Sequence, residues 1–292
     1  MLAQVLLNGL IAGSTYALIG ISFGLIYMPT RFFHFAHGVV YAAGAYGTLA
    51  AISWLNLPLS IAVLVGVGTS TVIGLTIECT VYRALRRRSA SSLVFLLTSL
   101  GLYIVLQNSI SLFFGDYIQS IRIGAVEEGI DILGARITPA QILIVSMSLA
   151  LTVAVTILLK RTKMGRAIRA VANDAELADI SGINRDKVFF RTFAIGSALA
   201  GVAGILVAFD SDFCPTMGIN ALMMGVVAVI IGGVGSIHGI ALGALLIGMA
   251  QQFGVWKIGS QWQNAIAFVI LLIFLLFRPQ GFLGKKVKKV TV

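Results

Sequence analysis

Apolar residues along this chain neither alternate nor trace a single helical face; they fill long blocks separated by short polar breaks. A block of about 20 apolar residues is what a helix needs to cross roughly 30 Å of hydrocarbon. Nine such blocks can be drawn: Ala3 to Tyr27, Gly38 to Trp54, Pro58 to Tyr82, Leu93 to Phe114, Pro139 to Lys160, Phe190 to Phe209, Met217 to Val234, Ser236 to Trp256 and Trp262 to Phe277. The second and seventh are rich in glycine and abut polar turns, so these two are expected to be broken or re-entrant. The pattern predicts an all-α membrane protein, a polytopic bundle of about 8 to 10 transmembrane helices forming a single domain over residues 1–292.

One polar break is too long for a turn. Over residues 161–189, Ala167, Ile168, Val171 and Ala172 recur at helical spacing with Arg166 and Arg169 beside them, which predicts short amphipathic helices on a membrane surface. Gly182 is the expected helix stop before Ile183 and Asn184.

Composition narrows the solvent. Hydrophobic residues make up 58% of the chain and charged residues 11%, against about 25% charged in a soluble domain. Too few charges remain to coat a water-facing exterior, so most of the surface must meet lipid. The net charge of +10 does not indicate nucleic acid, because the basic residues cluster between apolar blocks and not along one folded face.

Those clusters set the expected orientation. Arg83, Arg86, Arg87 and Arg88, the stretch from Lys160 to Arg191, and a basic tail over 284–292 carrying Lys285, Lys286, Lys288 and Lys289 all fall on the cytoplasmic side. Asp116, Glu127, Glu128, Asp131, Asp210 and Asp212 fall outside, where only Arg122, Arg136 and Lys257 are basic, and nine crossings place the N-terminus outside. The chain opens straight into Leu2 to Tyr27 with no basic lead or cleavage site, so this first block is expected to be retained. Cys79 and Cys214 stand far apart and read as packing residues.

Little in the sequence points to catalysis. His34 and His37 lack the further ligands a metal site needs, so no metal is expected. Glu78 is the one ionisable candidate within a block, and it sits near a block end beside Arg83, which argues against a proton relay. Gly232-Gly233-Val234-Gly235-Ser236 lies between two apolar blocks and not in a βαβ unit, and no phosphate-binding loop occurs, so any ATP must be hydrolysed on another polypeptide. No paired carboxylates or Ser/His/Asp set falls on one face.

Transport fits better. Gly235, Gly239 and Gly243 at four-residue spacing, with Gly9 and Gly13, and Gly20 and Gly24, are expected to let helices approach closely. Sliding the chain on itself matches Ala36-His37-Gly38 with Ile237-His238-Gly239, a weak internal repeat of the kind that builds transporters. The segment from Arg31 to Gly38 reads as an interfacial or re-entrant turn near the pathway, and Asn8, Ser14, Thr15, His37 and Gln107 are its candidate polar lining. In the long basic segment, Asp174, Glu176 and Asp179 stand among the bases; mixed charge suits a protein partner better than anionic lipid alone. A channel working without ATP and a membrane-embedded enzyme remain rival readings of these residues.

The stretch Gly165-Arg166-Ala167-Ile168-Arg169-Ala170-Val171-Ala172-Asn173-Asp174, with Ala178, Gly182-Ile183-Asn184, Phe35-Ala36-His37-Gly38, Gly44-Ala45-Tyr46 and Gly232-Gly233-Val234-Gly235-Ser236, closely resembles the branched-chain amino acid permeases of ABC importers, specifically the H-type subunit. The resemblance runs nearly the whole chain in the same order. It implies a bacterial inner-membrane permease that pairs with a second permease, two ATPase subunits that carry the ATP and magnesium, and a periplasmic substrate-binding protein. Under it, the ATPase-docking region comprises Gly165, Arg166, Ile168, Arg169, Asn173, Asp174, Glu176, Ala178 and Gly182. Arg31-Phe32-Phe33-His34 departs from the apolar-Asn lead usual in that family, which widens the expected cargo to other neutral amino acids, urea and short amides.

Overall fold

The computed structural model describes residues 1–121, 129–132 and 134–284. Arg122, Glu127 and Glu128, and the tail lysines from Lys285 onward, lie outside the described residues. The helices are α1 (Leu2–Thr30), α2 (His37–Ser53), α3 (Leu59–Ile77), α4 (Arg83–Arg87), α5 (Ser92–Phe114), α6 (Pro139–Arg161), α7 (Lys163–Asn173), α8 (Ala175–Ile180), α9 (Arg185–Asp210), α10 (Met217–Gly232), α11 (Ile237–Lys257) and α12 (Gln263–Phe277). A π-helical turn, Glu78–Tyr82, joins α3 to α4, and a small hairpin pairs β1 (Ile130–Ile132) with β2 (Ala135–Ile137).

Local signals explain the helix starts. Thr138 and Gln141 form a capping box ahead of α6, with Pro139 at the first helical position. Asn184 accepts from the Lys187 amide at 3.0 Å to open α9, and Ser236 accepts from Gly239 at 3.1 Å to open α11.

All nine apolar blocks are helices. Among the described residues, seven helical stretches are long and apolar enough to cross a membrane: α1, the continuous α3 to α4 unit, α5, α6, α9, α11, and Ser260–Phe277 containing α12. The two blocks expected to be irregular are the short ones, α2 with 17 residues and α10 with 16. At 1.5 Å per residue each reaches about 25 Å, short of the roughly 30 Å hydrocarbon thickness.

Both are preceded by non-helical connections, residues 31–36 and 211–216, and their starting ends abut: a Cβ on Gly38 would lie 2.8 Å from the Gly218 carbonyl oxygen. Irregular backbone at that depth must find its partners within protein. Ser99 of α5 supplies them, its hydroxyl donating to the Phe33 carbonyl at 2.9 Å and accepting from the Phe35 amide at 3.2 Å.

α1 is the most buried of the long helices and forms the axis, surrounded by α6, α9, α10 and α11. α5 and α12 lie at the periphery with Leu112, Phe113, Leu276 and Phe277 exposed, as lipid-facing positions should be. The packing repeats in a twofold manner. α1 packs on α11 as α9 packs on α3, α2 pairs with α3 as α10 pairs with α11, and α1 meets α10 as α9 meets α2. α1 ends where α9 begins, at the end where Arg31 contacts α7, so the two halves run in opposite senses. This changes the repeat seen in the sequence: His37-Gly38 and His238-Gly239 do both open helices, but packing makes α10 the counterpart of α2. The shared dipeptide reflects a common need for glycine at first-turn crossings.

Candidate functional site

The surface segment folds as α7 and α8 with an amphipathic logic. Thr162 caps α7 by accepting from the Gly165 amide at 2.9 Å. Gly165, Ile168, Val171 and Ala172 face inward, while Arg166, Arg169 and Asn173 face outward. Gly165 is required by close approach: a Cβ there would sit 2.5 Å from the Leu159 Cα of α6, where no flexible group can yield. Asp174 ends α7 and caps α8, its carboxylate accepting from the Glu176 and Leu177 amides at 2.9 Å each. Ala178 is the buried contact of α8, and Gly182, at φ 83°, closes it, with the Ile183 amide bonding to the Ala178 carbonyl at 2.9 Å.

Two apolar side chains that sequence reasoning passed over project from α8. Leu177 is 61% exposed and Ile180 is 85% exposed. On the same short helix stand the exposed carboxylates Glu176 and Asp179, and Asp179 pairs with Arg185 at 3.1 Å. An apolar pair beside mixed charge has the anatomy of a protein contact. Their i, i+3 spacing flanking the one buried residue, Ala178, was the available signal.

The projecting pair is tied to the bundle. Arg31 closes α1 in the left-handed conformation, φ 57°, and its guanidinium donates to the Ala172 carbonyl in the last turn of α7 at 2.9 Å. From Arg31 the chain enters the 31–36 connection, where His34 Nδ1 lies 2.8 Å from the Tyr82 hydroxyl and His37 Nε2 lies 2.8 Å from the Ser22 hydroxyl. Both imidazoles are buried, their rings 5.6 Å apart within a cluster of Phe32, Tyr82, Phe95 and Phe193. Among the described residues no group of three or more metal-ligating side chains is assembled.

The other predicted residues are placed as follows. Asn8 accepts from Gln4 at 2.9 Å, and Gln4 also bonds the β2 backbone at Arg136, so this end of α1 is clamped by the hairpin. Ser14 is buried and its carbonyl accepts from Ser148 of α6 at 3.0 Å, while Thr15 bonds back to Ile11 at 3.1 Å. His37 bonds Ser22 of α1 directly, and Gln107 is half-buried on peripheral α5, whose main packing partner is α2. Asn8, Ser14 and Thr15 therefore share one helix, with His37 on its neighbour and Gln107 apart.

Gly239 and Gly243 bring α11 against Gly232 and Ala228 of α10, and Gly13 brings α1 against Leu245. Gly235 does not belong to this series: it lies in the turn before α11 at φ 93°, with nothing near an added Cβ, so its role is the turn and not the packing. Glu78 lies beside Arg83 as expected, but its ion-pair partner is Arg86, with one bond at 3.2 Å and a second to the other carboxylate oxygen, while Arg83 pairs with Asp186 at 3.1 Å. In an uninterrupted α-helix a residue eight positions on points about 80° away; the wider π turn restores it to the same face.

These features define a polytopic helical membrane protein that carries a polar, amphipathic α7–α8 pair at one end of its bundle. Residues 5–275 match the model of the family described as the branched-chain amino acid transport system permease component, and the chain belongs to that family. It is 36% identical to the high-affinity branched-chain amino acid transport system permease protein BraD of Pseudomonas aeruginosa, covering 98% of this chain and 97% of that protein. It is 34% identical to the corresponding permease protein LivH of Escherichia coli over the same shares of each. Among solved structures, PsaBC from Streptococcus pneumoniae in complex with Fab aligns with a TM-score of 0.51 over 94% of this chain and 91% of that chain; at 13% identity the likeness is one of fold.

Proposed function

We propose that this chain is the membrane-embedded permease subunit of an ATP-driven importer for branched-chain or other neutral amino acids. The observation that carries the reading is the near full-length match to permeases of branched-chain amino acid transport systems. The projecting α7–α8 pair supports the ATP-driven form of it: a facilitator acting alone has no use for a rigidly capped, mixed-charge surface tied to the core through Arg31. ATP and magnesium belong to separate ATPase subunits, a second permease completes the pathway, and an external binding protein delivers cargo. α7 and α8 face the cytoplasm, since Arg83, Arg86, Arg87, Arg88 and Lys160 share their end of the bundle, and the N-terminus lies outside.

The chain's own task is mechanical. Nucleotide binding that favours one ATPase arrangement shifts the permease equilibrium only through contacts that differ between its two states. α7 moves with its partner, Arg31 passes that motion to the 31–36 connection, and the start of α2 follows.

Substitution of both Arg166 and Arg169 by Glu tests the docking assignment. Membrane insertion should be intact, while co-purification of an ATPase subunit and leucine-stimulated ATP hydrolysis fall together. Normal association and transport in that variant, or leucine flux into liposomes from this polypeptide alone, would refute the reading; urea-stimulated and leucine-insensitive hydrolysis would move the cargo to the urea class.

A further inference from the structure

A cleft of about 430 Å³ opens where the α3 to α4 unit meets the start of α9, lined by Glu78, Cys79, Arg83, Asp186, Lys187, Phe190 and Arg191, with Asn184 at its mouth. Its rim is basic and its floor is not. Lys187 and Arg191 lie one turn apart on the same face of α9 and make no ion pair among the described residues. The two carboxylates are already engaged, Asp186 by Arg83 and Glu78 by Arg86, so the surplus charge in the cleft belongs to Lys187 and Arg191. Asn184 opens a helix of 26 residues, whose free amides add positive potential at the same mouth.

Cys79 and Phe190, both exposed, form the apolar part of the cleft, its floor, and they share the two membrane-crossing stretches, Leu59–Arg87 and Arg185–Asp210, with Arg83, Asp186, Lys187 and Arg191. Unpaired cations and exposed apolar side chains thus stand together at one end of two membrane-crossing helices. The ligand that meets a cationic rim at the membrane boundary and an apolar floor within it is amphipathic and anionic.

We propose that this cleft binds one anionic phospholipid, its phosphodiester held by Lys187 and Arg191 and an acyl chain lying over Cys79 and Phe190. Lys187 and Arg191 also face Met164, Ala167 and Gly182 across a neighbouring cleft, so the site borders the α7–α8 surface; its test reads lipid binding and not transport, which keeps its failure distinguishable from failure of the importer assignment.

The full chain is reconstituted in phosphatidylcholine nanodiscs containing graded phosphatidylglycerol, and native mass spectrometry counts retained phosphatidylglycerol. Lys187→Gln with Arg191→Gln should weaken retention about thirtyfold, as expected from roughly 1 kcal/mol for each cation. Lys160→Gln with Arg161→Gln removes the same charge from exposed positions on α6 and should change retention less than about threefold, because charges further than about 8 Å from a bound headgroup are screened at physiological salt. Cys79→Trp keeps every charge but fills the floor, and should also release the lipid. Equal losses in the two charge pairs would reduce the effect to general surface attraction and overturn the site. Unchanged retention in the Cys79→Trp variant, or displacement by millimolar inorganic phosphate, would assign the cleft to a free anion and overturn the lipid.

Discussion

Replacing Glu78 by Leu should destabilise the protein by about 3 kcal/mol, the low end of the cost of breaking a buried ion pair from one side. The magnitude follows from the surroundings. The Glu78 side chain is 3% exposed and that of Arg86 is 19% exposed, so the change strands a guanidinium with only partial access to water. That residual exposure, and the position of the Arg86 guanidinium 4.3 Å from the centre of the Phe189 ring, keep the penalty below the upper end of the range. The companion Glu78→Leu with Arg86→Met removes both charges at similar volume and should return to within about 1 kcal/mol of the parent, because a buried pair repays little more than its own desolvation. Unfolding of the purified chain in mixed micelles, followed by circular dichroism as sodium dodecyl sulfate is titrated, gives the three free energies and the coupling between the sites. A loss under about 1 kcal/mol for the single variant, or a double variant as unstable as the single one, would show that the π turn does not exist to close this pair.

Arg31→Ala removes a hydrogen bond from a charged donor, worth about 1.5–3 kcal/mol, between the end of α1 and the last turn of α7. An ATPase subunit should still co-purify while amino acid uptake per ATP hydrolysed falls; unchanged stoichiometry would remove Arg31 from the linkage. Gly218→Val places side-chain atoms against the Gly38 carbonyl oxygen and should cost about 3 kcal/mol or more, read as a lower melting temperature and poorer monodisperse recovery, whereas Gly101→Ala, whose added Cβ meets open space, should be silent.

The bundle was legible because lipid imposes one backbone solution on every apolar block, and all nine blocks read from the sequence became helices within a few residues of their expected ends. The two glycine-rich blocks expected to be broken or re-entrant are instead continuous helices, shorter than the others and each preceded by a non-helical connection. Relations between elements were less readable. Spacing alone put Gly235 on a helix face, but the start of α11 is set by the Ser236 cap, one residue too late to include it. Proximity in sequence put Arg83 beside Glu78, but the ion pair with Arg86 depends on the π turn, which no propensity announces. The β1–β2 hairpin was not anticipated at all, being three residues a side and fixed by Gln4 from the far end of the sequence. On the α7–α8 pair, the inward face and the Gly182 stop followed from periodicity and residue type, whereas the Thr162 and Asp174 caps and the exposure of Leu177 and Ile180 were not read from the sequence.

The opposed duplication of α1–α2–α3 and α9–α10–α11 has an energetic corollary. If the halves trade roles, most internal contacts are exchanged like for like, so two shapes of the molecule open to opposite sides of the bilayer differ little in energy. The bias between them must then come from whatever breaks the equivalence, and the largest such feature is the α7–α8 pair, found at one end only. Under the proposed importer function, a modest push applied there would decide which side is open.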